Sequence, residues 1–197
     1  MYLFHFQFTE RKFDENVTEK VFRERYRVPK SVVDFLEQKY HDQLEFKTKR
    51  NQCLTPRQQI LVFLHFLGTN SFYHVIRDCH GIGTNTVLRI VHKITEILYN
   101  ERETFIHWPA NSSRIARQFF DIAGMPNVCG ALDGSHVTVS PPKDVEESYV
   151  NRHHTHSINV LMVCGPDLVV YYSNTRSPGR WHDSRVIYTF LKSYDFQ

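Results

Sequence analysis

Near residue 126 the spacing of apolar residues changes from a helical to a strand-like period, and this change limits the possible folds more than any other feature of the chain. Before it, "SVVDFLEQKYHDQL" sets Val32, Phe35, Leu36, Tyr40 and Leu44 at helical intervals. "TPRQQILVFLHFLGT" opens with a start signature: Thr55 can cap, Pro56 suits the first turn, and Gln58 completes a capping box. "SFYHVIRDCHG" stops at Gly81, a residue that favours helix ends. After "IGT", "NTVLRIVHKITEILYN" carries Val87, Val91, Ile94 and Leu98 on one face. Beyond residue 127, "VCGALDGSHVTVS", "HSINVLMVCG" and "LVVYYSNT" are short, β-rich and bounded by Gly, Pro and Asn, and "DSRVIYTFLKS" returns to the helical period. The expectation is a helical domain over 1–126, with a connecting helix at its end, followed by the beginning of an α/β domain over 127–197.

Of the 197 residues, 41% are hydrophobic and 14% aromatic, enough to bury a core and unlike a disordered chain. The net charge is only +3, but residues 1–110 hold 16 of the 24 Lys and Arg against 13 acids, whereas the remainder balances 8 against 8. A mildly basic front half permits a nucleic-acid partner without requiring one. Cys53, Cys79, Cys129 and Cys164 form no C-x-x-C pair, which argues against a zinc ribbon and a disulfide framework and fits a reducing compartment. The opening "MYLFHFQF" lacks a basic flank and is interrupted by His5 and Gln7, so it makes a poor signal peptide. No run approaches the length of a membrane span. A soluble, intracellular protein is expected.

The two short helical segments joined by "HGIGT" have helix-turn-helix spacing. Asn85, Thr86, Arg89 and Lys93 fall away from the apolar stripe of the second, and a polyanion such as DNA is a natural counter-charge for the Arg89–Lys93 pair. The plainer alternative is a helical bundle with a solvated basic face.

Asp133 poses a sharper question, because "GALDGSHVTVSPP" otherwise reads as a strand and an uncompensated carboxylate in a strand is costly. Asp133-Gly134 is either a type I′ hairpin turn or a strand acid whose charge a metal ion neutralises. Fifty residues on, Asp183 in "SPGRWHDSRV" either caps the last helix or faces a site beside the sheet edge, and the two roles are compatible. Carboxylates on one sheet edge suit phosphodiester displacement, where paired Mg²⁺ ions activate the nucleophile and stabilise the leaving oxygen.

"GALDGSHVTVSPP", "SYVNRHHTHSINVLMVC" and "SPGRWHDSRV", in that order, resemble the core blocks of the PIF/Harbinger transposases, above all the domesticated Harbinger-derived nucleases of animals. "VFRERYRVPKSVVDFL" and "LTPRQQILVFLHFLGTNSFYHVIRDCHGIGTNTVLRIVHKI" resemble the family's N-terminal helical region, so the likeness runs over roughly residues 20 to 190. The resemblance implies an RNase H-like (DDE) nuclease core behind the helix-turn-helix-like domain. It implies that Asp133 and Asp183 are catalytic acids holding Mg²⁺ or Mn²⁺, that DNA is the substrate, and that a separate Myb-like DNA-binding protein is a partner. A location in the nucleus, with the cytoplasm beside it, follows from the same likeness. Asn151 and Arg152 match the family's Asn-Arg pair, with a structural or a DNA-facing role for Arg152. The family's further Asp, in a Gly-Asp-Ser-Gly-Tyr-like block, and its Glu on a later helix have no counterpart before Gln197, and Asp195 lacks that block's neighbours. The residues given therefore hold half of a metal site, and a non-catalytic DNA-binding or protein-interaction module is the alternative function.

"NRHHTHSIN" brings His153, His154 and His156 close in sequence, but no Cys or Glu stands at zinc spacing. Glu146 and Glu147 read as loop acids. Trp181 and His182 are expected to orient the turn before Asp183, with proton donation the lesser role for His182.

Overall fold

A computed structural model of the chain describes residues 11–13, 16–47 and 53–193. The opening stretch 1–8 and Asp195 lie outside these residues. The chain forms two compact units, Met1–Asn100 and Glu101–Gln197.

The first unit is helical: α1 (Glu19–Tyr26), α2 (Lys30–Leu44), α3 (Pro56–Thr69), α4 (Tyr73–His80) and α5 (Thr84–Asn100). Its centre is α3, which packs against the other four helices. Five consecutive residues, Ile60 to Leu64, are buried, as expected for a helix surrounded by others. The capping box forms: Thr55 Oγ1 accepts from Gln58 N, and Gln58 Oε1 accepts from Thr55 N, both at 3.2 Å. On α2 the buried residues are Val33, Tyr40 and Leu44, while Phe35 is 50% exposed. Tyr40 and Leu44 of the expected stripe are thus buried and Leu36 packs on the core, whereas Val33 is buried beside a half-buried Val32 and Phe35 lies outside the covered face. Gly81 ends α4 in the left-handed conformation (φ 64°), and three residues later α5 begins, so the two helices and the short turn between them form where the spacing predicts.

In the second unit come α6 (Arg102–Phe105), α7 (Ser112–Ala123), β1 (Ala131–Thr138), a 3-10 turn (Glu146–Tyr149), β2 (Ser157–Cys164), β3 (Val170–Pro178) and α8 (Asp183–Ser193). The three strands form one antiparallel sheet in the order β1-β2-β3. The change of period at 126 and the edge of this unit do not coincide, because α6, α7 and the segment between them group with the sheet. Trp108, in that segment, packs against the sheet core and edge-on to Tyr171, which explains the grouping. Leu161 and Val163 on β2 meet Val186 and Phe190 on α8 to form this core. Among the described residues no helix is long and apolar enough to cross a membrane.

Candidate metal and phosphate site

Asp133 is not in a turn. It lies inside β1 in unbroken antiparallel register with β2, opposite Met162, and the strands are joined only through 139–156. Of the two alternatives for Asp133-Gly134 the hairpin turn is excluded: the register of the apolar residues with β2 overrides the local turn preference. Asp133 is exposed, and its Oδ1 accepts from Gly134 N at 2.9 Å. β1 is an edge strand among the described residues.

Asp183 is the first residue of α8. The amides of Arg185 and Val186 both bond to the His182 carbonyl, so His182, and not Asp183, occupies the cap position. This corrects the reading of Asp183 as the capping residue by one position. Its carboxylate is directed at the sheet, where Oδ1 accepts from Asn159 Nδ2 at 2.8 Å. Asn159 is fully buried on β2 and donates from the same nitrogen to the Trp181 carbonyl at 3.2 Å. Because both partners are acceptors, the amide orientation is fixed with nitrogen toward the 181–183 turn. Its Oδ1 has no hydrogen-bond partner among the described protein groups.

Gly134 completes the seat. A Cβ there would stand 2.6 Å from Asp183 Oδ1 and 3.1 Å from Asn159 Oδ1, so only glycine leaves room for the carboxylate. Residues alternate between faces along a strand, so Gly134 and His136 share the face of Leu161, Asn159 and α8, whereas Asp133 starts from the opposite face. Asp183 lines a cavity of about 320 Å³ together with Gly134, His136, Arg152, Arg180 and His182.

Beneath this cavity lies Ser157, 1% exposed. His136 Nδ1 and Asn151 Nδ2 each lie 2.9 Å from its Oγ, and Gly179 N donates to its carbonyl at 2.8 Å. Asn151 also organises the 151–155 turn, accepting at Oδ1 from the amides of His153 and Thr155. That gives the Asn of the Asn-Arg pair a structural role and leaves Arg152 exposed on the cavity. His153 Nε2 accepts from Arg152 Nε at 3.3 Å, and His156 Nε2 lies 3.1 Å from Glu146 Oε1. Trp181 carries the Arg185 guanidinium over its ring at 4.0 Å, which ties the turn to α8.

Asp133 and Asp183 supply hard oxygen donors of the kind Mg²⁺ and Mn²⁺ accept. Among the described residues no group of three His, Cys, Asp or Glu is placed to hold a metal ion. The chemistry of the two acids fits such an ion, and together they would supply only part of the ligands it needs.

In the helical unit, Asn85 and Arg89 are exposed on α5 and Thr86 is half-buried. Lys93 is half-buried too, with its Nζ over the Phe46 ring at 5.5 Å, so part of its charge is already engaged. Four residues of the site were not anticipated in their roles: Asn159, Ser157, Arg180 and Gly134. One sequence signal for Asn159 was available, since an Asn between Ile158 and Val160 in an otherwise apolar strand needs partners.

Residues 132–190 match the family model described as DDE superfamily endonuclease. The rat protein named "Putative nuclease HARBI1" (Rattus norvegicus) is 32% identical over 186 residues, covering 93% of this chain and 53% of the rat protein. Its human counterpart (Homo sapiens) is 31% identical with the same coverage of each chain. A "Protein ALP1-like" of Arabidopsis thaliana is 26% identical over 72% of this chain and 36% of its own length. No solved structure matches. The chain spans about half the length of the curated animal relatives it matches. An N-terminal helical region, then an antiparallel sheet within the matched DDE region, together with this likeness along nearly the whole sequence, identify the chain as a member of the HARBI1-like, PIF/Harbinger-derived DDE nuclease family.

Proposed function

We propose that the chain carries part of a metal-dependent nuclease acting on DNA phosphodiester bonds, with Asp183 and Asp133 as metal-holding acids. The observation that carries this reading is the seat built for Asp183: a fully buried amide fixes one carboxylate oxygen, and a glycine makes room for it. A carboxylate held at Oδ1 keeps Oδ2 in a constant position, which is what an ion with strict geometry needs of its ligand. Bound Mg²⁺ or Mn²⁺ would supply an activated water and charge stabilisation at the leaving oxygen. Asp133, on the edge strand one residue before Gly134, would reach the same ion around the open edge. The helix-turn-helix supports DNA contact by Asn85, Thr86 and Arg89 on α5, with Lys93 contributing less because of Phe46. A nuclear location and a Myb-like partner belong to this reading.

Thermal unfolding in Mn²⁺ tests it without requiring cleavage: the ion raises the melting temperature of the wild-type chain and not that of Asp183→Asn. An equal response of the two would refute the assignment. A second reading, a non-catalytic DNA-binding module, is favoured by one observation, the absence of a three-ligand metal group among the described residues. It predicts DNA binding with no Mn²⁺-dependent rise in melting temperature.

A further inference from the structure

Three separate segments that border the Asp183 cavity are tied to one buried residue, two through its hydroxyl and one through its carbonyl. β1 reaches Ser157 through His136, the 151–155 turn through Asn151, and the 178–181 turn through Gly179. Gly179 cannot be replaced without displacing this hub, because a Cβ there would stand 2.4 Å from Ser157 Oγ and 2.6 Å from the Tyr149 carbonyl. The Arg180 amide is held as well, donating to the Ser148 carbonyl at 3.2 Å. Arg152, Arg180 and His136 thus arise from backbone whose spacing Ser157 fixes, and all three line the same cavity.

Proton accounting sets what His136 offers. Asn151 spends its amide hydrogens on Thr155 Oγ1 and Ser157 Oγ, and because His136 Nδ1 is the one remaining hydrogen-bond partner of the Ser157 hydroxyl among the described residues, we assign the hydroxyl hydrogen to that nitrogen. The neutral ring then carries its hydrogen at Nε2. A protonated ring carries one there too, so Nε2 is a donor in either state. The Arg180 guanidinium makes no hydrogen bond or ion pair with any described residue, and Arg152 uses only Nε, on His153. Two fixed cations and an imidazole donor face one carboxylate, Asp183, across the cavity. This balance favours an anion, and the planar donor forks of arginine suit phosphate oxygens.

We infer that the cavity is a phosphate subsite in which Arg152, Arg180 and His136 Nε2–H hold one phosphodiester group of a DNA strand, with Ser157 setting their spacing. The inference depends on the proposed function only for the origin of the phosphate. It deepens that reading by placing a strand contact beside the proposed metal acid, and it requires no cleavage.

The test uses the full chain in metal-free buffer with chelator. Binding of a 12-nucleotide single strand is followed by fluorescence anisotropy at several salt concentrations, and inorganic phosphate is titrated separately while the His136 ring resonances are observed. Arg152→Ala with Arg180→Ala is expected to weaken oligonucleotide binding at least tenfold and to reduce the slope of log K against log salt by about 0.7, the loss of one phosphate contact. A purely structural role would not move that slope. Phosphate is expected to shift the His136 resonances in the wild type and not in the double variant. Ser157→Ala should weaken both ligands, and the arginine variants keep the test decisive if that variant does not fold. Unchanged affinity and slope in the double variant would overturn the inference. So would phosphate binding that depends on the arginines while oligonucleotide binding does not, because the ligand would then be free phosphate. The nuclease reading fails separately, by the lack of an Asp183-dependent response to Mn²⁺, whatever this binding shows.

Discussion

Replacing Gly134 with alanine probes the Asp183 seat directly. The new methyl would lie 2.6 Å from Asp183 Oδ1, whereas ordinary van der Waals contact begins at 3.4 Å, so the carboxylate must retreat by about 0.8 Å. A retreat of that size strains or breaks the 2.8 Å bond from Asn159 and moves the group proposed to hold the metal. The stability cost is small. Overpacking of this kind costs about 1–3 kcal/mol, and relief of glycine's entropy in a strand returns about 0.5–1 kcal/mol. A net loss near 1 kcal/mol would lower the melting temperature of a unit of this size by about 4–8 °C. Both tryptophans, Trp108 and Trp181, belong to the second unit, so emission excited at 295 nm follows its unfolding in urea without interference from the helical unit. The diagnostic result is disproportion: Mn²⁺ stabilises the wild type but not Gly134→Ala, although the variant remains folded. Ser135→Ala, on the other face of β1, should behave as wild type. An alanine variant with full Mn²⁺ response would refute the argument that glycine is required to seat Asp183.

Other expectations concern the helical unit. His65 Nδ1 and His80 Nε2 lie 2.9 Å apart, and His80 Nδ1 donates to the Lys12 carbonyl at 3.0 Å. Burial, the His80 ring and Arg25 push the His65 pKa down to about 4, and burial also lowers His80. Because the folded values lie below the unfolded one near 6.5, stability is full above pH 6.5 and falls as the pH drops toward 4. Urea midpoints read by circular dichroism at pH 7.5 and 5 should differ in that direction, and His65→Phe with His80→Phe should reduce the difference. An unchanged midpoint in the wild type would contradict the coupling. Thr55→Ala removes the capping box and should cost about 1 kcal/mol in the same assay, with no loss contradicting a role for the cap in solution. Leu61→Ala, at a fully buried position of α3, should cost about 2–5 kcal/mol, and a loss under 1 kcal/mol would place α3 outside the core.

Much of the helical unit was legible in sequence because its signals are local. Thr55, Pro56 and Gln58 mark the start of α3, and Gly81 marks the end of α4, within a few residues of the atoms they satisfy. On α2 the spacing found Leu36, Tyr40 and Leu44 but took in the exposed Phe35 and missed Val33, because periodicity gives spacing and the packing of neighbouring helices decides where the covered face ends. Asp133-Gly134 shows the same limit more sharply: the dipeptide favours a turn locally, but pairing with Leu161 and Met162, nearly thirty residues away, holds it in a strand. Asp183 was singled out through a motif. Its partners were not, because Asn159, Gly134 and Ser157 acquire their roles only when β1, β2 and the 178–183 turn meet. Arg180 has no local signal at all, since an arginine after a glycine in a loop reads as solvated.

The metal assignment stands or falls on whether Asp183 and Asp133 share an ion. Calorimetric titration of Mn²⁺ into the purified chain, beside Asp183→Asn and Asp133→Asn, measures this without requiring cleavage. One ion per chain for the wild type, with affinity reduced at least tenfold by either substitution, is the predicted result. Wild-type affinity in both variants, or no binding by any of the three, would contradict the metal assignment and leave Asp183 as an acid that anchors the turn before α8.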